Sequence, residues 1–316
     1  MGLPDFFVIG APKAGTTALH RALARHPQLW LSPIKEPKYF MCDGAPPSQQ
    51  GGPGDAHSAR EWVWRREEYE RLFDAAPPGV LAGEATPFYL WDRAAHARMA
   101  ATVPRAKLVA IVRDPVDRAY SNWTHLWVDG LEPRSDFLAA CDEEGARAAA
   151  GWAPFWRYQG LGRYGEQLEH LFLHFPREQV HVLRYRNLID RPAEALDRIC
   201  RFLGVAEGRV SSIPASNVSN WVEPPPVNRA LPRAVRVGAI AGARFHPRVW
   251  RVASAPLLAM LQRSGQRHRP GLTAEQRTAL TERFRADVEL LGDLLGRSYA
   301  DWLSSVDRGT FSTRSS

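Results

Sequence analysis

The stretch Val8-Ile9-Gly10-Ala11-Pro12-Lys13-Ala14-Gly15-Thr16-Thr17 constrains this chain more than any other. The apolar run Phe6–Ile9 that leads into it reads as a buried strand. After it, Ala18, Leu19, Ala22 and Leu23 make an apolar stripe on a helix over Thr16–Arg25, with Pro27 just beyond its end. Strand, glycine loop and helix in that order gather backbone N–H groups and a positive dipole end at one spot, which is a cradle for an anion. A nucleoside-triphosphate loop, G-x-x-x-x-G-K-[ST], sets its lysine directly after the second glycine. Here Thr16 stands there, and the lysine has moved inside the loop to Lys13. The phosphate cradle is kept while the cation is re-aimed. That points away from ATP hydrolysis and towards another group transfer from a nucleotide.

Further apolar runs predict strands at Leu29–Leu31, Val80–Gly83, Lys107–Val112 and Val180–Arg184. Helical patterns fall at Arg60–Phe73, Ala94–Thr102, Val116–Val128, Arg163–Phe175 and Ala193–Leu203. This alternation predicts an α/β fold, a P-loop-type central parallel sheet flanked by helices. Ligands of such sheets bind beyond the carboxyl ends of the strands, where the glycine loop sits. Asp43–Ser58 is rich in Gly, Pro, Ser and Gln and reads as a mobile loop, a lid or a surface insertion. The whole chain, 1–316, reads as one catalytic domain, with 227–303 an arginine-rich, mainly helical C-terminal extension.

Charge is uneven. Between Glu223 and Glu275 there are nine arginines and no acid, against a net +7 for the whole chain, so the rest is net negative. The interval 224–274 is a solvated basic face or a docking surface for an anionic partner or a membrane face. Few aromatic residues alternate with these arginines, which argues against nucleic acid. Of the 41 cations only four are lysine, and Lys13, Lys35 and Lys38 fall in the N-terminal motifs. Cys42, Cys141 and Cys200 are odd in number and form no metal pattern. They read as reduced thiols in a cytoplasmic protein, and no secretory signal or membrane-spanning run is visible. The aromatic stretches Trp62-Val63-Trp64 and Gly151–Trp156 are candidates for an apolar pocket wall.

Gly10–Thr17 resembles the 5′-phosphosulfate loop of sulfotransferases that use 3′-phosphoadenosine 5′-phosphosulfate (PAPS). Lys35-Glu36-Pro37-Lys38-Tyr39-Phe40 resembles the Lys-Glu-x-x-Phe-Phe segment of the heparan-sulfate-type branch. Ile111–Ser121 resembles the family's 3′-phosphate motif. Leu272–Leu303, with Asp287, Leu291, Gly296 and Trp302, resembles the C-terminal helix and tail of many bacterial members. The resemblance runs from residue 6 to residue 303. It implies PAPS as donor cosubstrate, no metal, and a hydroxylated small molecule, sugar or lipid as acceptor.

Sulfuryl transfer is an in-line displacement with charge building on the leaving oxygen, so positioning and electrostatics do most of the work. Ala14, Gly15, Thr16 and Thr17 supply backbone N–H groups and hydroxyls to the cradle. The resemblance gives Lys13 the leaving oxygen. Arg113 closes the apolar run 108–112, with Ser121 about two turns into the next helix. A guanidinium and a hydroxyl can grip one phosphate, in the family the 3′-phosphate. Glu36 lies beside aromatic groups and, by the resemblance, deprotonates the acceptor. His125 follows Ser121 on the same helix face and is the second candidate base. Gly83–Tyr89 matches a segment that holds a catalytic lysine in some heparan-type enzymes, but Ala85 takes its place here. Two other readings stand beside this one: a nucleotide-dependent kinase on a P-loop scaffold, and a non-catalytic nucleotide- or anion-binding protein.

Overall fold

In the computed structural model, which describes residues 2–214 and 272–304, the most apolar runs lie side by side at the middle of the sheet. β1 (Phe6–Gly10) is buried along its whole length, and β4 (Lys107–Val112) is buried from Leu108 onward. Strands with no polar alternation need cover on both faces, which only an interior position gives. β1 pairs in parallel with β3 (Leu81–Ala85) on one side and with β4 on the other. β2 (Leu29–Leu31) adds to β3, and β5 (Val180–Arg184) adds to β4. The sheet is five-stranded and parallel, in the order β2-β3-β1-β4-β5. Each predicted strand is present, with β3 starting one residue later and ending two residues later than expected.

The helices follow the strands. α1 (Thr16–Leu23) leaves β1; α2 (Asp55–Ser58) and α3 (Arg66–Arg71) precede β3; α4 (Arg93–Thr102) precedes β4. α5 (Pro115–Val128), α6 (Phe137–Asp142), α7 (Glu144–Ala149) and α8 (Tyr164–Leu171) lie between β4 and β5, and α9 (Tyr185–Asp190) and α10 (Pro192–Leu203) come after β5. The connection from β1 to β2 leads one way across the sheet, and those from β3 to β4 and β4 to β5 lead the other. With right-handed crossovers, these sets of helices cover opposite faces. The reversal between β1 and β4 opens a crevice at their carboxyl ends.

Three expectations change. The helix expected over 60–73 is broken: Trp62 and Arg65 are extended, and the Val63 N–H donates to the Pro37 carbonyl at 2.9 Å. Burial of Val63 against the body outweighs the helical pattern around it. Asp43–Ser58 is not a free loop. The Gly51 N–H donates to Gly151 O at 3.0 Å, and buried Asp55 accepts from Gly52 N, Ala153 N and Trp156 Nε1 at 2.7–2.9 Å. The aromatic stretch Gly151–Trp156 is spent largely on holding that segment, since Trp156 is fully buried and bonded to Asp55.

At the carboxyl end, α11 (Ala274–Leu295) starts with a capping box between Thr273 and Gln276 and ends at Gly296 with φ 61°. It packs on α8, where the Asp287 carboxylate accepts from the Gly165 and Glu166 N–H groups at 3.1 and 2.9 Å. The basic interval lies outside the described residues except for its last few positions. Its proposed docking role, and the helical stretch expected at Ala255–Gln262, lie outside them as well.

Candidate active site

One cleft of about 560 Å³ opens at the carboxyl end of the sheet. Its walls include Lys13, Gly15, Thr16, Thr17, Glu36, Arg113, Ser121 and His125. Of the candidate site residues only Ala14 is absent from the walls. Its side chain is fully buried, and its N–H is spent on Ala11 O at 3.1 Å. Ala14 shapes the loop and contributes no donor to the cradle.

The loop depends on backbone conformations that side chains disfavour. Gly15 has φ 88°, and a Cβ there would lie 2.9 Å from the Tyr185 ring. Lys13 adopts φ 66° without being glycine, a costly conformation that turns the chain beneath the cleft. α1 then begins at Thr16. No side chain caps it, and its first turn holds no acidic residue. Among the described residues, its leading N–H groups therefore meet no capping side chain and no first-turn carboxylate that would compete with an anion. An uncapped N-terminus, two threonines and a lysine fit the phosphosulfate group that the sequence implies.

Arg113, at the end of β4, reaches back across the loop. Its Nη1 donates to Lys13 O at 3.0 Å, and its guanidinium lies 4.9 Å from the centre of the Tyr185 ring. The neighbouring acids are engaged elsewhere. Asp114 caps α5 by accepting from Val116 N and Asp117 N, at 2.9 and 3.2 Å, and both Asp114 and Asp117 pair with Arg277 of α11. Arg118, in the same motif, faces the core, where it donates to Asn122 and to the Tyr158 carbonyl. The motif thus splits into a cleft-facing part, Arg113 and Ser121, and a structural part.

Across the cleft stands the segment between β2 and the Tyr39–Met41 turn. The Glu36 N–H donates to Ala85 O at 3.0 Å, which docks the segment on the end of β3. The Glu36 carboxylate pairs with Lys35. Lys38 enters the wall from the same segment, its ammonium 5.1 Å from the Trp62 ring centre and 5.5 Å from that of Phe88. Burial lowers the Lys38 pKa, partly offset by Glu36. His125 lies with its ring against Phe155 and its Nε2 3.7 Å from the Asp129 carboxylate. Burial, then the nearby Lys13 charge, lower its pKa, so the imidazole is neutral at pH 7. Phe155 is the residue of the second aromatic stretch that reaches the cleft.

Sequence reasoning missed Lys38 and Tyr185. Lys38 had a signal, the scarcity of lysine outside the motifs. Tyr185 had none, since its contact with Gly15 is made only by folding.

Residues 4–207 match the sulfotransferase family model, and the chain belongs to that family. It is 32% identical over 204 residues to heparan sulfate glucosamine 3-O-sulfotransferase 3B1 of Homo sapiens, covering 64% of this chain and 46% of that protein. It is 30% identical over 214 residues to the bifunctional heparan sulfate N-deacetylase/N-sulfotransferase 3 of Mus musculus, covering 65% of this chain and 22% of that protein. The chain thus spans less than half the length of these curated relatives. Among solved structures it is similar to a sulfotransferase from Alicyclobacillus acidocaldarius, with a TM-score of 0.72 and 27% identity, over 96% of this chain and 100% of that one.

Proposed function

We propose that this protein transfers a sulfuryl group from PAPS to an acceptor hydroxyl. The observation that supports this best is the convergence of an uncapped helix N-terminus, Lys13, Arg113, Glu36 and His125 on one cleft. Bound PAPS supplies a sulfuryl group already activated by its link to phosphate.

The residues divide the work. Gly15, Thr16 and Thr17 hold the 5′-phosphosulfate through backbone N–H groups and hydroxyls. Arg113 and Ser121 hold the 3′-phosphate, and the hydrogen bond from Arg113 to Lys13 O ties that end of the donor site to the loop. Lys13 neutralises charge on the bridging oxygen as its bond to sulfur breaks, where a fixed cation helps most. Glu36 takes the acceptor proton. His125, neutral at pH 7, orients the acceptor and is the secondary base.

The acceptor is a hydroxyl compound, and the sugars named for the curated relatives are one class of it. Three buried cysteines with no disulfide suit a reducing compartment, and we place the protein in the cytoplasm. No helix among the described residues is long and apolar enough to cross a membrane. The test is a screen of sugar, phenol and aliphatic hydroxyl acceptors with PAPS, read by mass spectrometry. A sulfate adduct of 80 Da (roughly the mass of SO₃) on one acceptor class is the expected result. Absence of any adduct and of any PAP release would remove the assignment.

A further inference from the structure

Among the described residues, the non-glycine positions with positive φ are Lys13 at 66°, Glu36 at 64° and Lys38 at 59°. All of them line the same cleft. Such conformations are costly and persist where the surroundings enforce them, most often at functional sites. The first two residues have roles in the proposed reaction. Lys38 has none so far, although it sits on the Glu36 side, where the acceptor must enter.

Its surroundings are poor ones for a merely structural lysine. The ammonium lies among Trp62, Phe88 and the cleft, and burial disfavours its charge. Lysines pack their stems and keep their heads in water when nothing else acts on them. This one is instead fixed from both sides. Its N–H is held by Thr86 Oγ1 at 3.3 Å, and the preceding Glu36 N–H is held by Ala85 O. Position 85, at the strand end to which this segment is bonded, is an alanine and brings no cation of its own.

We propose that Lys38 is a further catalytic residue, the cation that contacts the sulfuryl oxygens from the acceptor side during transfer. This rests on the sulfotransferase reading above. The acceptor oxygen forms a bond to sulfur while the bond from sulfur to the bridging phosphate oxygen breaks. The electron pair of that bond leaves on PAP, facing Lys13, and the acceptor proton passes to Glu36. Lys38 keeps its proton throughout and holds the sulfuryl group in line between the two oxygens. The aromatic rings around it fix its direction through cation–π attraction.

The test compares wild type, Lys38→Met and Lys38→Arg, with PAP release from PAPS as the rate and calorimetric PAP affinity as the measure of an intact donor site. Lys38→Met is expected to lose turnover by about 10²-fold, the worth of one electrostatic contact in a transition state, with PAP affinity unchanged within about threefold. The pH profile adds a readout that packing alone would not move. The charged and titratable groups around Lys38 are Glu36, Glu61, Lys35 and Cys42. With the ammonium lost below its ordinary range, the wild-type rate falls as pH rises through that lowered value. Arginine stays charged, so Lys38→Arg keeps measurable turnover and loses that alkaline limb. Turnover of Lys38→Met within threefold of wild type overturns the proposal, as does parallel loss of PAP binding or an unchanged limb in Lys38→Arg. A wild-type protein inactive on PAPS would instead remove the reading beneath it.

Discussion

β1 and β4 are neighbours in the sheet, yet the helices that follow them begin in opposite ways. α5 closes its own N-terminus. Asp114 accepts two of its leading N–H groups, Pro115 lacks one, and Arg277 of α11 pins the Asp114 and Asp117 carboxylates. α1 starts behind a glycine at φ 88° with no capping side chain among the described residues. A good cap is worth about 0.5–2 kcal/mol, and α1 forgoes it. A helix that only supports can satisfy its own donors, whereas one that holds an anion must keep them for the ligand. On the β4 side the cleft is lined by side chains around the cap, Arg113 before it and Ser121 beyond it, and these are the residues we propose for the ligand there.

This contrast can be broken by substitution. The largest effect is expected at neither junction but on the facing wall. Glu36→Gln keeps size and removes basicity, and kcat should drop by roughly 10²–10⁴. His125→Ala should cost less, and the reverse order would make the imidazole the base. At the α1 junction, Lys13→Ala should lower kcat by about 10²–10³ and change PAP affinity much less, because the lysine acts on charge that develops in the transition state. Normal turnover by this variant would end its leaving-group role.

At the α5 junction the effect should appear in binding. Arg113→Ala should weaken PAP by about 1.5–3 kcal/mol, the worth of a charge-assisted contact, and leave 5′-AMP less affected. The smallest change is expected from Asp114→Ala. It should lower stability by about 0.5–2 kcal/mol in denaturant unfolding, through the lost cap, without changing nucleotide preference. A stability-neutral Asp114→Ala would mean that α5 is held by Arg277 and its packing rather than by its cap.

The strands were legible because their signal is local. Phe6–Ile9 and Leu108–Val112 are apolar without alternation, and such runs go to the middle of a parallel sheet. The cleft wall at the ends of β1 and β4 was legible for the same reason, since Lys13, Gly15 and Arg113 lie just beyond those runs. The unread parts depend on contacts distant in sequence. Asp55 looks like a loop residue until Ala153 and Trp156 reach it. The helix expected over 60–73 breaks where Val63 bonds to Pro37. α6, α7 and α9 have six residues each, too few for a periodic pattern to stand out. Lys38 and Glu36 lie close in sequence, but the left-handed turns that aim them into the cleft leave no trace in composition.

We propose that the two junctions grip the two ends of one nucleotide, α1 at the 5′ end and Arg113 with Ser121 at the 3′ end. The most direct measurement is calorimetric titration of the wild-type protein with 3′-phosphoadenosine 5′-phosphate and, separately, with 5′-AMP. These ligands differ only by the 3′-phosphate. The first is expected to bind at least about tenfold more tightly, as a charge-assisted contact of that size requires. Equal affinities would contradict it.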